Sequence, residues 1–346
     1  MRVLSFPAMC VAIAALIGSA SAQQPTKITI AVVPSVPSAS TFIALDKGYF
    51  RDAGLDVTIE RVDSLGKAVA FVATNRMQVA QGGINAGYFN SVGQGLPLTL
   101  ALEGGSTPLY HKFLVRPALK DAIKKPADLK GRTVAVNAPG SVLTYELANV
   151  LKAGGLTIKD VTTKTVSFPQ MGAALANGAL DAAIEVAPFT QRIVEQKIAV
   201  PWVDPEDFIQ PLPLSNLGYM ANTDWIKQHP DLARKLFVAL AKGGREYCQA
   251  YHHGPNRAEV VDILLKNNIV KDRALLERMD WQARDPDGTF NVASLMSIQA
   301  FFKSQGILDK EVPAAQLVDT SFAAAAAKEL GPFQVINKDS KLRGCR

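Results

Sequence analysis

The sequence predicts an α/β fold in which mostly parallel sheets are flanked by helices, and three observations predict it. Short β-branched and apolar runs alternate with runs of helical period over residues 27–220. Each run of strand character ends in Gly, Ser or Pro. From residue 224 onward the chain reads almost entirely as helix. Strands that alternate with helices imply parallel pairing with helices on both faces, and ligands of such sheets sit at the carboxyl ends of the strands.

Residues 27–33 alternate as a strand and run into Pro34–Ser35–Val36–Pro37–Ser38; Ser40 starts a helix through Phe42, Ile43, Leu45 and Phe50 that stops near Gly54. Residues 55–62 are the next strand, and Ser64 starts a helix over Val69, Ala70 and Val72. A short strand at 78–81 leads into Gly82–Gly83–Ile84–Asn85 and a helix over Tyr88, Phe89 and Val92. Residues 96–102 form a strand that ends in Glu103–Gly104–Gly105–Ser106, and 112–116 form another. The strand 133–136 is followed by turn chemistry at 137–140, with Ser141 as N-cap of an apolar-periodic helix through Val142, Leu143, Leu147, Val150 and Leu151. The amide donors left open at such a helix start attract anionic or strongly polar groups. Strands at 164–167, 181–185 and 198–203 then alternate with helices at 169–177 and 188–196, and 214–220 is a last strand. Helical runs follow at 231–251, 258–266, 274–279, 295–302 and 322–330. No linker rich in Gly, Ser or Pro divides the chain, so its domains interleave instead of following in series.

At 346 residues the chain has room for one large domain or two smaller ones, and 48% hydrophobic with 20% charged residues describes a globular protein. The formal charge of +6 is scattered, with no basic block beyond Lys124–Lys125, which argues against nucleic acid as a partner. Arg2, the apolar run 9–17 and the small residues Gly18–Ser19–Ala20–Ser21–Ala22 form a secretory leader over 1–22, cleaved after Ala22. The apolar run is too short to span a bilayer comfortably, and Cys10 lies inside the leader. The mature chain keeps Cys248 and Cys345, which an oxidising compartment allows to pair and so pin the polar tail. No Cys-x-x-Cys, His-Glu-x-x-His or Gly-x-Ser-x-Gly pattern occurs. His252 and His253 follow Cys248 at a helix end, a position that favours histidine without a metal. The expectation is therefore no metal, no cofactor and no catalytic residue.

Particular words carry a resemblance. Residues 43–50, Ile-Ala-Leu-Asp-Lys-Gly-Tyr-Phe, with Ala53–Gly54–Leu55–Asp56–Val57, are similar to substrate-binding proteins of ABC importers, in the branch that handles nitrate, sulfonates, taurine and thiamine-pyrimidine precursors. Asp128–Leu129–Lys130–Gly131–Arg132–Thr133–Val134–Ala135–Val136, Gly140–Ser141, Gly178–Ala179–Leu180–Asp181–Ala182 and Pro188 match the same branch. The resemblance implies a two-lobed periplasmic-binding-protein fold of type II character with ligand held in the cleft between lobes. Lobe one takes 27–111 and, after the return, 219–346; lobe two takes 112–218, with crossings near 112–116 and 214–220. It further implies a monomeric periplasmic protein that hands a small organic ligand, anionic or zwitterionic, to an ABC permease of the inner membrane. The alternative the resemblance leaves is an enzyme on the same fold, a small-molecule lyase or a thiamine-pyrimidine synthase. Export and the lack of the fungal synthase's Cys cluster argue against that alternative. A ligand-sensing domain of a regulator is a third option, for which no segment is left to bind DNA.

Placed by loop position, the cleft is lined by Ser35, Val36, Ser38, Gly83, Ile84 and Asn85 from lobe one. Lobe two adds Gly140, Ser141, Val142, Phe168, Gln170, Glu185 and Phe189, and the return adds Asn216 and Tyr219. Ser and Asn side chains with helix-start amides hold an oxyanion without arginine. Each position also has an ordinary structural use: turn or cap for Ser35, Ser38 and Asn85, core for Phe168 and Phe189. The sulfonate-like members imply an aromatic and an acidic residue just before the proline, where this chain has Val186 and Ala187 with Glu185 one step earlier. Strand alternation leaves open whether Glu185 faces the cleft, where it accepts a ligand amine, or faces solvent or a salt-bridge partner.

Overall fold

The structure, a computed structural model, describes residues 25–138 and 140–346. The expected leader and its cleavage after Ala22 lie outside the described residues. Strands, in chain order, are β1 (Thr26–Val32), β2 (Leu55–Arg61), β3 (Val79–Gly83), β4 (Leu98–Ser106), β5 (Lys112–Val115), β6 (Thr133–Val136), β7 (Thr162–Thr165), β8 (Ala182–Glu185), β9 (Val200–Val203) and β10 (Ser215–Asn222). Helices up to the return are α1 (Ala39–Asp46), α2 (Tyr49–Asp52), α3 (Leu65–Ala73), α4 (Ala86–Gly93), α5 (Val142–Ala153), α6 (Phe168–Ala176) and α7 (Phe189–Glu195). The C-terminal part adds α8 (Thr223–Gln228), α9 (Pro230–Tyr251), α10 (Arg257–Lys266), α11 (Arg273–Arg278), α12 (Val292–Ser304), α13 (Ala314–Leu317) and α14 (Ser321–Leu330).

Two five-stranded sheets divide these strands, in the orders β2-β1-β3-β10-β4 and β7-β6-β8-β5-β9. The two orders share one plan, in which the single antiparallel strand of each sheet is the one reached just after the chain has crossed from the other lobe. β10 pairs antiparallel with β3 and β4, and β5 pairs antiparallel with β8 and β9. Both strands that were expected as crossings thus lie inside a sheet, and the connecting segments are 107–111 and 204–214. The sequence reading also ended β4 at residue 102; the strand continues through Glu103–Gly104–Gly105–Ser106, with register shifts against β10.

The first sheet is buried under α1 and α9. Pro230 at the first turn suits the start of α9, and its buried stripe from Ala233 through Tyr251 packs on Phe42, Ile43 and Ala44 of α1. At the end of α9, Cys248 is joined to Cys345 by a disulfide. His252 adds bonds from Nδ1 to Ser340 Oγ at 2.7 Å and from Nε2 to the carbonyls of Gly344 and Cys345 at 3.1 and 3.0 Å. The tail therefore lies against the lobe, and a Cβ on Gly344 would come within 3.0 Å of Pro108 in the first connecting segment.

One apolar cluster runs through both lobes. It joins Ile84 and Phe89 of the first to Val134, Val142, Leu143 and Tyr145 of the second, with Phe302 and Leu308 between them. A smaller cluster of Leu114, Ala135, Met171, Leu175, Ala183 and Ile193 fills the other face of the second sheet. Among the described residues no helix is long and apolar enough to cross a membrane.

Candidate functional site

The two lobes meet where β3 and β6 end. Asn85 caps α4, its Oδ1 accepting from the Tyr88 amide and its Nδ2 donating to the Gly83 carbonyl, each at 3.1 Å. Across the gap, Gly140 turns the chain with φ of +64° into α5. Asn85 and Ser141 form an isolated antiparallel bridge, and the Ala86 amide donates to the Gly140 carbonyl at 2.9 Å. Glycine is needed at 140 twice over: its φ is left-handed, and a Cβ there would lie 2.9 Å from the Cβ of Ala86. The lobes also touch where Tyr145 Oη and Ser297 Oγ lie 2.9 Å apart, and where Arg278 of α11 pairs with Glu195 of α7 at 2.6 Å. Glu146, buried on α5, holds His111 Nδ1 of the first connecting segment at 3.1 Å. This is a closed arrangement.

Around that closure, buried polar atoms lack hydrogen-bond partners. In the second lobe they are Asn137 Oδ1, Ser141 Oγ, Thr144 Oγ1, Glu185 Oε2, Thr190 Oγ1 and Gln191 Oε1. All six sit at the carboxyl ends of β6 and β8 or in the first turns of the helices that follow. In the first lobe, both Gln81 side-chain atoms on β3 and Glu103 Oε1 on β4 are in the same state. Native proteins leave few buried polar groups unpaired, and a group of them at strand ends is what a ligand would satisfy.

Glu185 is the most perturbed member. Its side chain is 0% exposed, Oε1 accepts from the amide of Val186 at 3.0 Å, and Oε2 has no partner. Burial pushes its carboxyl up to about 9, with the Val186 amide opposing weakly. By alternation along β8 it shares a face with Ala183, on the side of α6 and α7. It is neither solvent-facing nor in a salt bridge. Lys112 stands opposite it on β5, but that ammonium is bound to both carboxylate oxygens of Asp204 at 2.6 Å. In the first lobe, burial pushes Glu103 up to about 8 while nearby Arg284 opposes the rise. Arg284 donates to Ser40 Oγ at 2.6 Å and to the Glu103 carbonyl at 3.0 Å, which ties the first turn of α1 to β4.

The other expected site residues divide. Asn85, Gly140 and Ser141 are brought together, with Gly83, Ile84 and Val142 beside them in the chain. Ser141 stands at the N-cap position of α5 with the extended backbone of a cap, but its hydroxyl makes no capping bond, contrary to the expected cap, and Oγ is left without a partner. Phe168 and Phe189 lie nearly parallel, ring centres 6.3 Å apart. Ser38 is engaged locally: Oγ donates to the Ser35 carbonyl at 2.6 Å and accepts from the Ser35 amide at 3.0 Å, and Val36 is buried in the core beside them. Gln170 is exposed and accepts from Ser167 Oγ at 3.0 Å. Asn216 Oδ1 accepts from Gln282 Nε2 at 2.6 Å. Tyr219 is a core residue whose hydroxyl meets Ser40 and Thr41 at 2.8 and 2.9 Å under α1.

Sequence reasoning missed Gln81, Asn137, Thr144, Thr190 and Gln191. Gln81 has a legible signal, a polar residue within an otherwise small and apolar strand that is buried on both faces. Thr144 falls three residues after Ser141 on one helical face, and Thr190 two residues after Pro188. Among the described residues no group of three or more His, Cys, Asp or Glu is placed to hold a metal.

The profile of the family described as NMT1/THI5 like matches residues 37–252, more than half of the chain. The chain belongs to that family. This NMT1/THI5-like chain is 24% identical over 229 residues to riboflavin-binding protein RibY of Chloroflexus aurantiacus, covering 64% of this chain and 62% of that relative's length. Solved structures share its fold. The periplasmic aliphatic sulphonate binding protein SsuA of Escherichia coli superimposes with a TM-score of 0.69 at 16% identity, covering 92% of this chain and 96% of that one. The periplasmic nitrate-binding protein NrtA of Synechocystis PCC 6803 gives 0.69 at 17%, with 92% of each chain covered. The desulfurization enzyme DSZB has the same fold at a TM-score of 0.58 and 18% identity, covering 88% of this chain and 100% of that one. The two-lobed architecture expected from the sequence is thus the fold of this family member.

Proposed function

We propose that the chain is an exported solute-binding protein that captures a small organic ligand between its lobes and delivers it to an ABC permease of the inner membrane. The observation that carries this reading is the set of buried, unpartnered polar atoms at the strand ends of both lobes, beside the backbone closure at Asn85 and Ser141. Closure around a ligand would satisfy those atoms and exclude water, and opening would release the ligand. Family membership and the binding roles of RibY, SsuA and NrtA support it. Binding is favoured over reaction because the hydroxyls of Ser141, Thr144 and Thr190 have no hydrogen-bond partner, and so no base beside them to activate a nucleophile.

Export is the part of the reading that rests on the leader, and delivery to a permease rests on the relatives. The test is to express the full chain with its leader, recover it from the periplasm without denaturation, and compare its mass intact and denatured. A mature chain that starts at Gln23 and releases a stoichiometric small molecule is the expected result. A full-length cytoplasmic protein that turns over a small molecule would refute the reading.

A further inference from the structure

We infer that the ligand of this site carries a cationic nitrogen with N–H groups, an ammonium or amidinium, seated on Glu185. The inference rests on the solute-binding reading above and specifies the ligand class. Glu185 Oε2 is buried and unpartnered, and the other unpartnered atoms at the same strand ends can all accept a hydrogen bond. The β6–β8 pairing sets Ala135 beside Ala183, and that register continued past the end of β6 carries Asn137 to the level of Glu185. Asn137 Oδ1 and Gln191 Oε1 accept only, and the Thr190 and Ser141 hydroxyls accept or donate. An ammonium has three N–H donors to place, and these oxygens provide for them.

The charges around Glu185 point the same way. β5, β6 and α6 pack most extensively on β8, with α7 over the same face. β6 and α6 contain no ionisable side chain, and the one on β5 that faces Glu185, Lys112, is already paired with Asp204. On α7, Arg192 and Glu195 are exposed. Among the described residues no cation therefore pairs with Glu185, and the carboxyl keeps its proton, in keeping with a value pushed up to about 9 by burial. A cationic ligand supplies the missing charge. Glu185 then gives its proton to solvent and the carboxylate pairs with the N–H cation, so each ligand bound as a cation releases one proton. An oxoanion has no such partner here. A zwitterion can still place its anionic end toward the amide donors at the start of α5.

The experiment uses the mature protein, freed of ligand by reversible unfolding, and Glu185→Gln. Thermal shifts are read with primary alkylamines, amidines and amino acids, with the quaternary amine choline as a cation without N–H, and with alkanesulfonates and nitrate. Expected are upward shifts with members of the N–H-bearing cation set alone. For the best of them, calorimetry in phosphate and in Tris at pH 7.5 should give release of one proton. Affinity should rise about tenfold per pH unit between pH 6.5 and 8.5. In Glu185→Gln, whose cooperative unfolding is checked first, affinity should fall at least ~30-fold and the pH dependence should vanish. A sulfonate or nitrate that shifts both forms alike, while no N–H cation does, overturns the inference and leaves solute binding standing. Silence toward every N–H cation also overturns it, and solute binding is then judged by the small molecule released from the periplasmic protein.

Discussion

Replacing Glu185 with glutamine should stabilise the ligand-free protein, by an amount that grows with pH. Buried and unpaired, the carboxyl is pushed from its ordinary 4.5 to about 9, so the folded chain holds a proton that the unfolded chain has lost. A raised carboxyl value means stability that is whole below pH 4.5 and drains away as pH climbs toward 9. Each pH unit in that window removes about 1.4 kcal/mol, which comes to roughly 4 kcal/mol by pH 7.5. Glutamine has nearly the same shape and titrates nowhere in the range. Other titrating groups, such as Glu103 with its rise to about 8 and His252 and His253 with values lowered by burial, contribute equally to parent and variant and cancel in the difference. Urea unfolding of both proteins at pH 5.5, 6.5, 7.5 and 8.5 gives that difference directly. It should rise in favour of glutamine by about 1.4 kcal/mol per unit. Parallel curves across the four pH values would show that Glu185 is ionised in the fold, and the charge argument for the site would fail with it.

Three other outcomes follow from the same geometry. Ser141→Ala should leave unfolding within about 0.5 kcal/mol of the parent, since no capping bond is lost, while weakening a ligand that uses the hydroxyl by roughly tenfold or more in calorimetry; a loss of 1 kcal/mol or more in the empty protein would mean that the cap exists. Gly140→Ala combines a left-handed φ with a close approach to Ala86, and at about 1–2 kcal/mol for the backbone alone it should open the lobes, seen as a larger radius of gyration in small-angle scattering; an unchanged radius counts against the closure. The disulfide closes a separation of 97 residues, so Cys248→Ser should cost up to about 4–5 kcal/mol. Thiol titration of the denatured, unreduced parent should find no free thiol, and two per chain would refute the crosslink.

Much of this protein is written in local sequence. The alternation of β-branched runs with helical-period runs, and the Gly, Ser and Asn residues at each changeover, place the strands and helices within a few residues, because period and turn chemistry depend on near neighbours. The cap at Asn85 is local in the same sense. Tertiary structure decided the rest. Where the chain crosses between lobes depends on which sheet accepts β5 and β10, a matter of pairing between strands far apart in sequence. Whether Ser141 caps a helix or stands unpaired depends on the partner lobe that presses Asn85 against it. Tyr219, placed by sequence at the cleft, is drawn under α1 by Ser40 and Thr41. For Glu185 strand alternation leaves its direction open. Only the packing of α6 and α7 over the second sheet closes off solvent and salt-bridge partners, because desolvation is a property of everything around a group and of nothing in the group itself.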